Sequence, residues 1–358
     1  MRRKVIVDTK SADQSVKPAE RPADPAALHK KMMQLLSNLW VTRAIGTFVR
    51  LGIADAIEQG TDEYQAIAVA RGLIADRVYR LLRALSTAGI VSEIGPGRFA
   101  LTPLGRLLGS RSSSSMRTAA VLLNDYFADM WAHLDEALVD GGTAFDKLKG
   151  RPFFDWLKQS PEEAKQFHRM MVEVHGPETP PIIAAYDFGS CRHIVDVGGG
   201  NGSLLSGVLA AFPGRRATLF DLPEGIAAAE RGEGGPLPGV ALVAGDAFSA
   251  VPEGGDLYLL RHLMHDYDDA ECLRILASVR RAMGPEARVL VLEKPIPTDD
   301  RPTPGRWLDL HVMLLTGGRE RTVEEYEQLF GEVGLALARV IPTAHPAMDI
   351  LEAVAATA

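Results

Sequence analysis

Residues 193–226 read HIVDVGGGNGSLLSGVLAAFPGRRATLFDLPEGI, an apolar run followed by a glycine-rich turn, a helical segment and a second apolar run. Four glycines fall within positions 198–202, and the second run ends on Asp221. A glycine-rich turn between a strand and a helix lets a ligand approach the backbone closely at the carboxyl edge of a parallel sheet. The stretch therefore predicts the first two strands of an α/β sheet and a ligand site beside them.

Strand-like apolar runs continue to alternate with helical segments beyond this stretch. They are VALVAGD at 240–246, DLYLLRHLM at 256–264 and RVLVLEK at 288–294. Such alternation is typical of a mostly parallel sheet covered by helices on both faces. We therefore predict an α/β fold with a Rossmann-like sheet over residues 189–358.

Residues 26–110 are helical in pattern and predict a separate winged-helix domain. Val78, Leu81, Leu82 and Leu85 recur at the spacing of one helix face. GIVSEI and RFALT then form two β-prone runs separated by the turn residues 95–97. Several helices followed by a two-stranded wing are typical of a winged helix.

A winged helix can bind DNA or pack against a second subunit, and charge favours the second interpretation. Residues 40–110 contain eight Arg, no Lys and six Asp or Glu, too nearly balanced for a basic DNA-binding face. Apolar residues concentrate around Trp40, Ile45 and Phe48. We therefore predict a homodimer and no nucleic-acid partner.

The remaining segments and the composition limit the class of protein further. Residues 1–25 are predicted to be a flexible tail, and residues 111–188 a set of connecting helices rich in aromatic residues and methionine. The formal net charge is −7, and only two cysteines are present. No apolar run reaches the length of a membrane span or a signal-peptide core. These features predict a cytoplasmic protein without a membrane partner or a disulfide framework.

The glycine turn does not fit a dinucleotide. In the G-x-G-x-x-G/A pattern the third position is Ser203 in one register and Leu205 in the other. Asp221, at the end of the second strand, is well placed to accept both ribose hydroxyls, and Asp246 beside Phe248 suits an adenine amine and ring. The pattern indicates an adenosyl ligand without a pyrophosphate.

With these residues, the chain resembles the S-adenosylmethionine-dependent O-methyltransferases of the caffeic-acid and hydroxyneurate type, including bacterial relatives that modify antibiotics and phenazines. Five motifs occur in order: VDVGGGNGSLL, LFDLP, GDAF, RHLMHDYDDAECLRIL and GGRERTVEEYEQLF. The resemblance covers nearly everything after residue 30. It implies S-adenosylmethionine as cofactor and a small aromatic acceptor of the phenol, polyketide or phenazine type. It also implies a winged-helix dimerisation domain.

The resemblance places the cofactor site on the carboxyl edge of the sheet. The implied cofactor residues are Asp196, Gly198, Gly200, Asp221, Leu222, Asp246, Ala247, Phe248 and Arg261. Arg261 stands where relatives often have lysine, and a guanidinium should still reach the methionine carboxylate.

Transfer of a sulfonium methyl group to a phenol requires in-line positioning and removal of one proton. A phenol has a pKa of about 10 and a histidine one of about 6.5, so a neutral imidazole can take that proton as the oxygen attacks. His265 matches the family's general base, and an ordinary histidine pKa predicts a rate that rises between about pH 6 and 8. Glu293 and Glu320 match the two acidic residues that orient and charge-stabilise the imidazole.

The acceptor pocket is implied only by the resemblance. Its predicted lining comes from the connecting helices, the segment after the fourth strand and the LDLHVMLL segment: Phe127, Trp131, Phe167, Met171, His175, Asp266, His311 and Met313. Aromatic and methionine side chains of this kind suit a flat aromatic ligand.

Several other interpretations remain open at this stage. The acidic residues 266, 268, 269 and 271 could form a metal site, but Asp268 and Glu271 fit a helix capping box better, and we predict no metal. Relatives of the same fold catalyse C- or N-methylation, hydroxylation or decarboxylation. A winged-helix regulator that senses a small molecule is a further alternative.

Overall fold

The structure is a computed structural model and describes residues 24–112 and 114–356. The tail predicted for residues 1–25 lies outside these residues except for Asp24 and Pro25. Pro25 already begins a helix, and the Asp24 carboxylate accepts a hydrogen bond from the Ala26 amide at 3.0 Å. The helix therefore begins at a side-chain cap followed by proline, a common start for a helix.

The N-terminal domain is a winged helix, as predicted. Its elements are α1 Pro25–Arg50, α2 Ile53–Glu58, α3 Tyr64–Arg71, α4 Ala75–Thr87, β1 Val91–Gly95 and β2 Arg98–Leu101. The two strands pair antiparallel, with Gly97 at φ 69° in the turn. Phe48, Ile67, Leu82 and Phe99 form the centre of its core.

Helix α1 carries the most conspicuous exposed apolar surface of this domain. Its exposed large apolar residues are Leu28, Met32, Met33, Leu35, Leu36, Leu39, Trp40 and Val41. Trp40 alone is 68% exposed. Contiguous apolar surface of this kind is typical of a protein–protein interface.

Seven helices connect the two predicted domains. They are α5 Arg117–Leu122, α6 Tyr126–Trp131, α7 Leu134–Asp140, α8 Ala144–Lys149, α9 Phe153–Lys158, α10 Pro161–His175 and α11 Thr179–Ala185. The aromatic core of this region includes Phe127, Phe145 and Phe153 together with Leu314 and Leu315 from far along the chain. Because Leu314 and Leu315 of the C-terminal domain pack into the core of the connecting helices, the domain limits proposed from the sequence stay predictions.

The C-terminal domain is built on a seven-stranded sheet. Its strands are β3 His193–Val197, β4 Arg216–Asp221, β5 Ala241–Ala244, β6 Leu257–Arg261, β7 Arg288–Glu293, β8 Leu335–Pro342 and β9 Asp349–Ala355, in the order β5-β4-β3-β6-β7-β9-β8. The first five strands are parallel and confirm the predicted sheet. β9 runs antiparallel to β7 and β8, and neither β8 nor β9 was predicted.

Helices cover both faces of this sheet. They are α11, α12 Ser203–Ala211, α13 Pro223–Glu230, α14 Asp269–Ala282 and α16 Val323–Glu332, whereas α15 Gly305–Leu315 packs against α6 and α8 of the connecting region. Val195 and Tyr258 pack in a core with α14 and α16, whereas Ile194 and Leu259 pack in a second core with α11, α12 and α13. Within the described ranges no helix is long and apolar enough to span a bilayer.

The parallel strands bring the predicted site residues to one edge of the sheet. The turn 198–202 follows β3, Asp221 ends β4, Asp246 follows β5, Arg261 ends β6 and Glu293 ends β7. A ligand in an open parallel sheet binds outside these carboxyl ends. The fold therefore predicts a ligand site at this edge.

Candidate active site

A cavity of about 290 Å³ lies at the carboxyl edge, between the sheet and α10. The predicted residues that line it are Phe167, Met171, His175, Gly198, Gly200, Asp221, Leu222, Asp246, Ala247, Phe248, Arg261 and Asp266. Residues assigned to the cofactor and residues assigned to the acceptor therefore share one cavity.

The glycine turn holds Asp221 in a fixed orientation. Gly198 and Gly200 have φ values of 70° and 58°, and a Cβ at Gly198 would lie 2.9 Å from Leu263. Asp221 accepts hydrogen bonds from the amides of Gly200 and Leu222, each at 2.6 Å. Burial raises the pKa of Asp221 to about 6, although these two hydrogen bonds act to lower it. Its remaining lone pairs are available to a pair of ligand hydroxyls.

Asp196 is a buried carboxylate beside this turn. It is 1% exposed, and among the described residues neither of its oxygens has a hydrogen-bond partner. Burial raises its pKa to about 7, and the charge of Arg261 opposes that rise. A buried unpaired carboxylate is costly, and the ammonium group of a ligand would satisfy it.

The turn after β5 has one carboxylate and one aromatic ring. Asp246 accepts from the Phe248 amide at 2.9 Å and from the Ser249 hydroxyl at 3.1 Å. The Arg274 guanidinium lies 4.7 Å from the centre of the Phe248 ring and over one of its faces. The turn is thus rigid, with Asp246, Ala247 and Phe248 all on the cavity wall.

Arg261 lines the same cavity but is already engaged by protein groups. It donates to the Glu178 carboxylate at 2.7 Å and to the Thr179 hydroxyl at 3.3 Å, and it also contacts the His175 carbonyl. Nε is buried without a partner in the described part of the chain. Of the five guanidinium N–H donors, three are engaged, so the Nε–H and one Nη1–H have no partner among the described residues.

His265 lies in the 3₁₀ turn Met264–Asp266 and is 8% exposed. Its Nδ1 is 2.8 Å from Oε1 of Glu320, while Nε2 is 3.9 Å from Asp266, beyond hydrogen-bond distance. Burial alone would lower the pKa of His265, but the Glu320 hydrogen bond and the charges of Glu293 and Asp266 raise it to about 10. Glu320 fixes the ring as a Nδ1–H donor, which leaves Nε2 for the reaction.

Glu293 was expected to orient and charge-stabilise the imidazole; it hydrogen-bonds to the loop and not to the ring, while its charge stabilises the protonated ring. Its Oε1 accepts from the amides of Met264 at 2.8 Å and His265 at 3.2 Å. Its Oε2 accepts from the Tyr326 hydroxyl. Burial raises the pKa of Glu293, and the charge of His265 opposes this. Of the two glutamates, only Glu320 hydrogen-bonds to the His265 ring.

Three supporting residues were not identified from the sequence. The fully buried Arg321 donates to the carbonyls of Met264 and Tyr267, each at 2.9 Å. Asp309 accepts from the Glu320 amide at 2.8 Å, and Tyr326 supports Glu293. The available sequence signal for Arg321 was its position next to the predicted Glu320 in GGRERT. Its partners, the carbonyls of Met264 and Tyr267, are distant in sequence.

Four predicted acceptor residues do not line the cavity in this conformation. Phe127, Trp131, His311 and Met313 pack within or against the aromatic core of the connecting helices. Trp131 Nε1 donates to His311 Nδ1 at 3.0 Å. Burial, helped by the nearby His265, lowers the pKa of His311 to about 4, so its ring is neutral with the proton on Nε2. The predicted lining is thus divided between the cavity and a neighbouring core.

The acidic cluster after His265 contains the predicted capping box. The Asp268 carboxylate accepts from the Glu271 amide at 2.8 Å, and Glu271 in turn accepts from the Asp268 amide at 3.2 Å. Asp269 pairs with Arg321 at 2.8 Å. These carboxylates therefore begin α14 and hold the loop.

A separate group of His175, Glu178 and His262 has the donor atoms of a metal site, but Arg261 already supplies a cation to Glu178.

The strand order, the glycine turn after β3 and the carboxylate that ends β4 define the class of S-adenosylmethionine-dependent methyltransferases. Residues 131–336 match the O-methyltransferase domain, and residues 33–111 match the O-methyltransferase dimerisation domain. The chain belongs to this family of S-adenosylmethionine-dependent O-methyltransferases.

Individual relatives agree with this assignment. The chain is 35% identical over 333 residues to the phenazine O-methyltransferase PhzM of Lysobacter antibioticus, covering 92% of this chain and 97% of that protein. It is 36% identical over 324 residues to a 3-amino-4-hydroxybenzoate 4-O-methyltransferase of Streptomyces cremeus, covering 88% and 87%. An O-methyltransferase of neocarzinostatin biosynthesis, solved with S-adenosylmethionine and 2-hydroxy-5-methyl naphthoic acid, superposes with a TM-score of 0.76 at 29% identity, covering 88% and 96%.

Proposed function

We propose that the chain methylates a hydroxyl of a small aromatic natural product, with His265 as general base and without a metal. The observation that carries this proposal is the buried His265–Glu320 pair at the carboxyl edge. His265 is not itself part of the cavity lining, but its neighbour in the chain, Asp266, is. A buried imidazole whose Nδ1 is fixed by a carboxylate presents Nε2 to a phenolic proton.

S-adenosylmethionine supplies a methyl group already activated on a sulfonium. We assign its ribose hydroxyls to Asp221 and its adenine to Asp246, Ala247 and Phe248. The unpaired Asp196 carboxylate suits the methionine ammonium, and the unpaired Nε of Arg261 suits the methionine carboxylate. The zwitterionic methionine end of the cofactor would give each of these two buried, oppositely charged groups a partner.

The acid–base step depends on the protonation state of His265. Only the neutral ring can accept the acceptor's proton, and Glu320 then stabilises the imidazolium that forms. Since the surrounding carboxylates raise the pKa of His265, the ring is a stronger base than an ordinary histidine but must first lose its own proton. Glu293 and Arg321 keep the 3₁₀ turn in place throughout.

The acceptor is proposed to be a flat aromatic. Phe154, Phe167 and Met171 contribute apolar walls to the cavity, and Tyr267 closes another side. The named acceptors of the relatives, phenazine and aminohydroxybenzoate, are small aromatics of this kind.

We propose that the enzyme is a homodimer formed through the N-terminal domain. Support comes from the match to the dimerisation domain and from the exposed apolar residues of α1. We also propose a cytoplasmic location, since Cys191 and Cys272 are both buried as free thiols.

The test is incubation of the purified chain with methyl-labelled S-adenosylmethionine and a panel of phenols, phenazines and aromatic polyketides, with and without a chelator. Mass spectrometry and NMR of the product should show one added methyl group on oxygen, formed equally well with chelator present. Methyl on carbon or nitrogen only, or complete loss of product with chelator, would contradict the proposal.

A further inference from the structure

Three groups of the site converge on Glu178, a carboxylate that sequence patterns did not single out. Glu178 ends the 3₁₀ turn Gly176–Glu178 between α10 and α11 and is 2% exposed. It accepts from His175 Nδ1 at 3.0 Å, from His262 Nε2 at 2.8 Å and from Arg261 Nη2 at 2.7 Å. One side chain thus joins the connecting helices to the end of β6.

The cluster contains one negative and one positive charge. Burial lowers the pKa of His175 despite its hydrogen bond to Glu178, and burial lowers the pKa of His262 to about 3. Both rings are therefore neutral N–H donors. Burial disfavours the Glu178 charge, but the hydrogen bonds from the two histidines hold its pKa well below the ordinary value. The positive charge of Arg261 balances the negative charge of Glu178.

Residues 175–179 hold one edge of the Arg261 guanidinium. Nη2 contacts Glu178 and the His175 carbonyl, and Nη1 donates to the Thr179 hydroxyl at 3.3 Å. The side chain is 9% exposed, and its Nε has no partner in the residues that the structure describes. With three of its five N–H donors engaged by residues 175–179, the guanidinium has one orientation, and the Nε–H and the second Nη1–H remain for an anionic group.

Glu178 also holds the chain that leads from β6 to His265. His262 has a φ of 47°, the left-handed region that residues other than glycine enter at a cost in energy. Its ring is bound by Glu178 and lies 3.9 Å from the His175 ring, centre to centre. A strained residue of this kind persists only where its surroundings fix it.

We propose that Glu178 is a positioning residue that orients Arg261 for the carboxylate at the methionine end of the cofactor. This inference rests on the proposed placement of that carboxylate at Arg261. Glu178 acts through Arg261 and touches no reacting atom. A divalent ion at Glu178 would face the Arg261 cation on the same carboxylate, so the arrangement favours an ion pair over a metal site.

The test compares two ligands that differ at the methionine end. S-adenosylhomocysteine has the carboxylate and the ammonium group of the amino-acid end, whereas 5′-methylthioadenosine has the same nucleoside with neither. In full-length Glu178→Gln, calorimetry should show S-adenosylhomocysteine binding weakened about 10- to 100-fold, the range expected for loss of a hydrogen bond to a charged group. Binding of 5′-methylthioadenosine should stay as in the wild type.

Two variants provide matched controls. Glu173 is a carboxylate of α10 that binds the Thr118 and Ala119 amides away from Arg261, so Glu173→Gln should leave both affinities unchanged. Asp221→Asn should weaken both ligands, because both have the ribose. Arg261→Gln should reproduce the selective loss, and the double variant with Glu178→Gln should lose little more than the larger single loss.

Two results would overturn the proposal: unchanged binding of S-adenosylhomocysteine to Glu178→Gln, or equal weakening of both ligands, which would indicate a merely structural role. If Glu178→Gln does not fold, Glu178→Asp replaces it, since the shorter side chain withdraws from Arg261, and the ratio of the two affinities is evaluated in the same way. Failure of the wild type to bind S-adenosylhomocysteine would count against the assigned cofactor site itself.

Discussion

At the scale of single residues, the chemistry depends on how carboxylates surround one histidine. Glu320 binds the ring, Glu293 accepts from the consecutive amides of Met264 and His265, and Asp266 stands 3.9 Å from Nε2. Three carboxylates near one imidazole stabilise its charged form more than burial destabilises it. The residue identities followed from the sequence, but this balance did not.

The raised pKa of His265 leads to a pH prediction. Because the neutral ring is the active form, the rate should increase as pH rises through the raised pKa, so the inflection in kcat/KM should lie above the 6 to 8 expected of an ordinary histidine. Glu320→Gln removes the ring's charged partner and should move the inflection to lower pH while reducing the maximal rate. A pH–rate profile of both proteins checks this, and an unmoved inflection would contradict it.

At the scale of elements, the 3₁₀ turn that positions His265 is held from outside. Glu293 contacts its amides, and Arg321 contacts the Met264 carbonyl and the Tyr267 carbonyl that follows the turn. The sequence predicted the strands β3 to β7, the wing and the α14 capping box, because each has a local pattern. It did not predict these contacts, since residues 293 and 321 reach the turn only through the tertiary fold. The strands β8 and β9 were also missed, although they pair with each other as a hairpin across residues 343–348; only the pairing of β9 with β7 is long-range.

The buried arginine gives a stability prediction. Arg321→Met should remove the guanidinium hydrogen bonds to the Met264 and Tyr267 carbonyls, at a cost of about 1–3 kcal/mol in the free energy of unfolding. Urea denaturation of the two proteins measures this difference. Arg319→Met, which removes a half-exposed neighbour, is the control and should change stability by less than about 1 kcal/mol. Equal stability of Arg321→Met and the wild type would remove Arg321 from the support of the turn.

At the scale of the whole molecule, the exposed face of α1 predicts association. Light scattering should give about twice the chain mass of 38.7 kDa. Trp40→Glu introduces a charge into the proposed interface and should shift the protein toward monomer. Val139→Glu, on an exposed site of α7, should leave the dimer intact. A wild-type protein that stays monomeric at micromolar concentration would contradict the proposed assembly.

The connection between the domains is where sequence reasoning was weakest. Phe127, Trp131, His311 and Met313 were predicted to line the acceptor pocket, yet they pack in the core that joins α6 to α15. Composition shows that these segments are apolar but not which side chains face a cavity. Glu178 was missed because a single buried carboxylate between two prolines has no periodic or motif signal.

The central claim is that His265 takes the acceptor's proton, and single-turnover transfer by His265→Gln tests it most directly. Glutamine keeps a polar side chain but cannot accept the proton, so transfer should slow about 10²- to 10⁴-fold. The affinity for S-adenosylhomocysteine should hardly change, because the residues assigned to the cofactor lie elsewhere on the cavity wall. Near-wild-type transfer by His265→Gln on the true acceptor would contradict the account and leave His265 as a residue that only positions the acceptor.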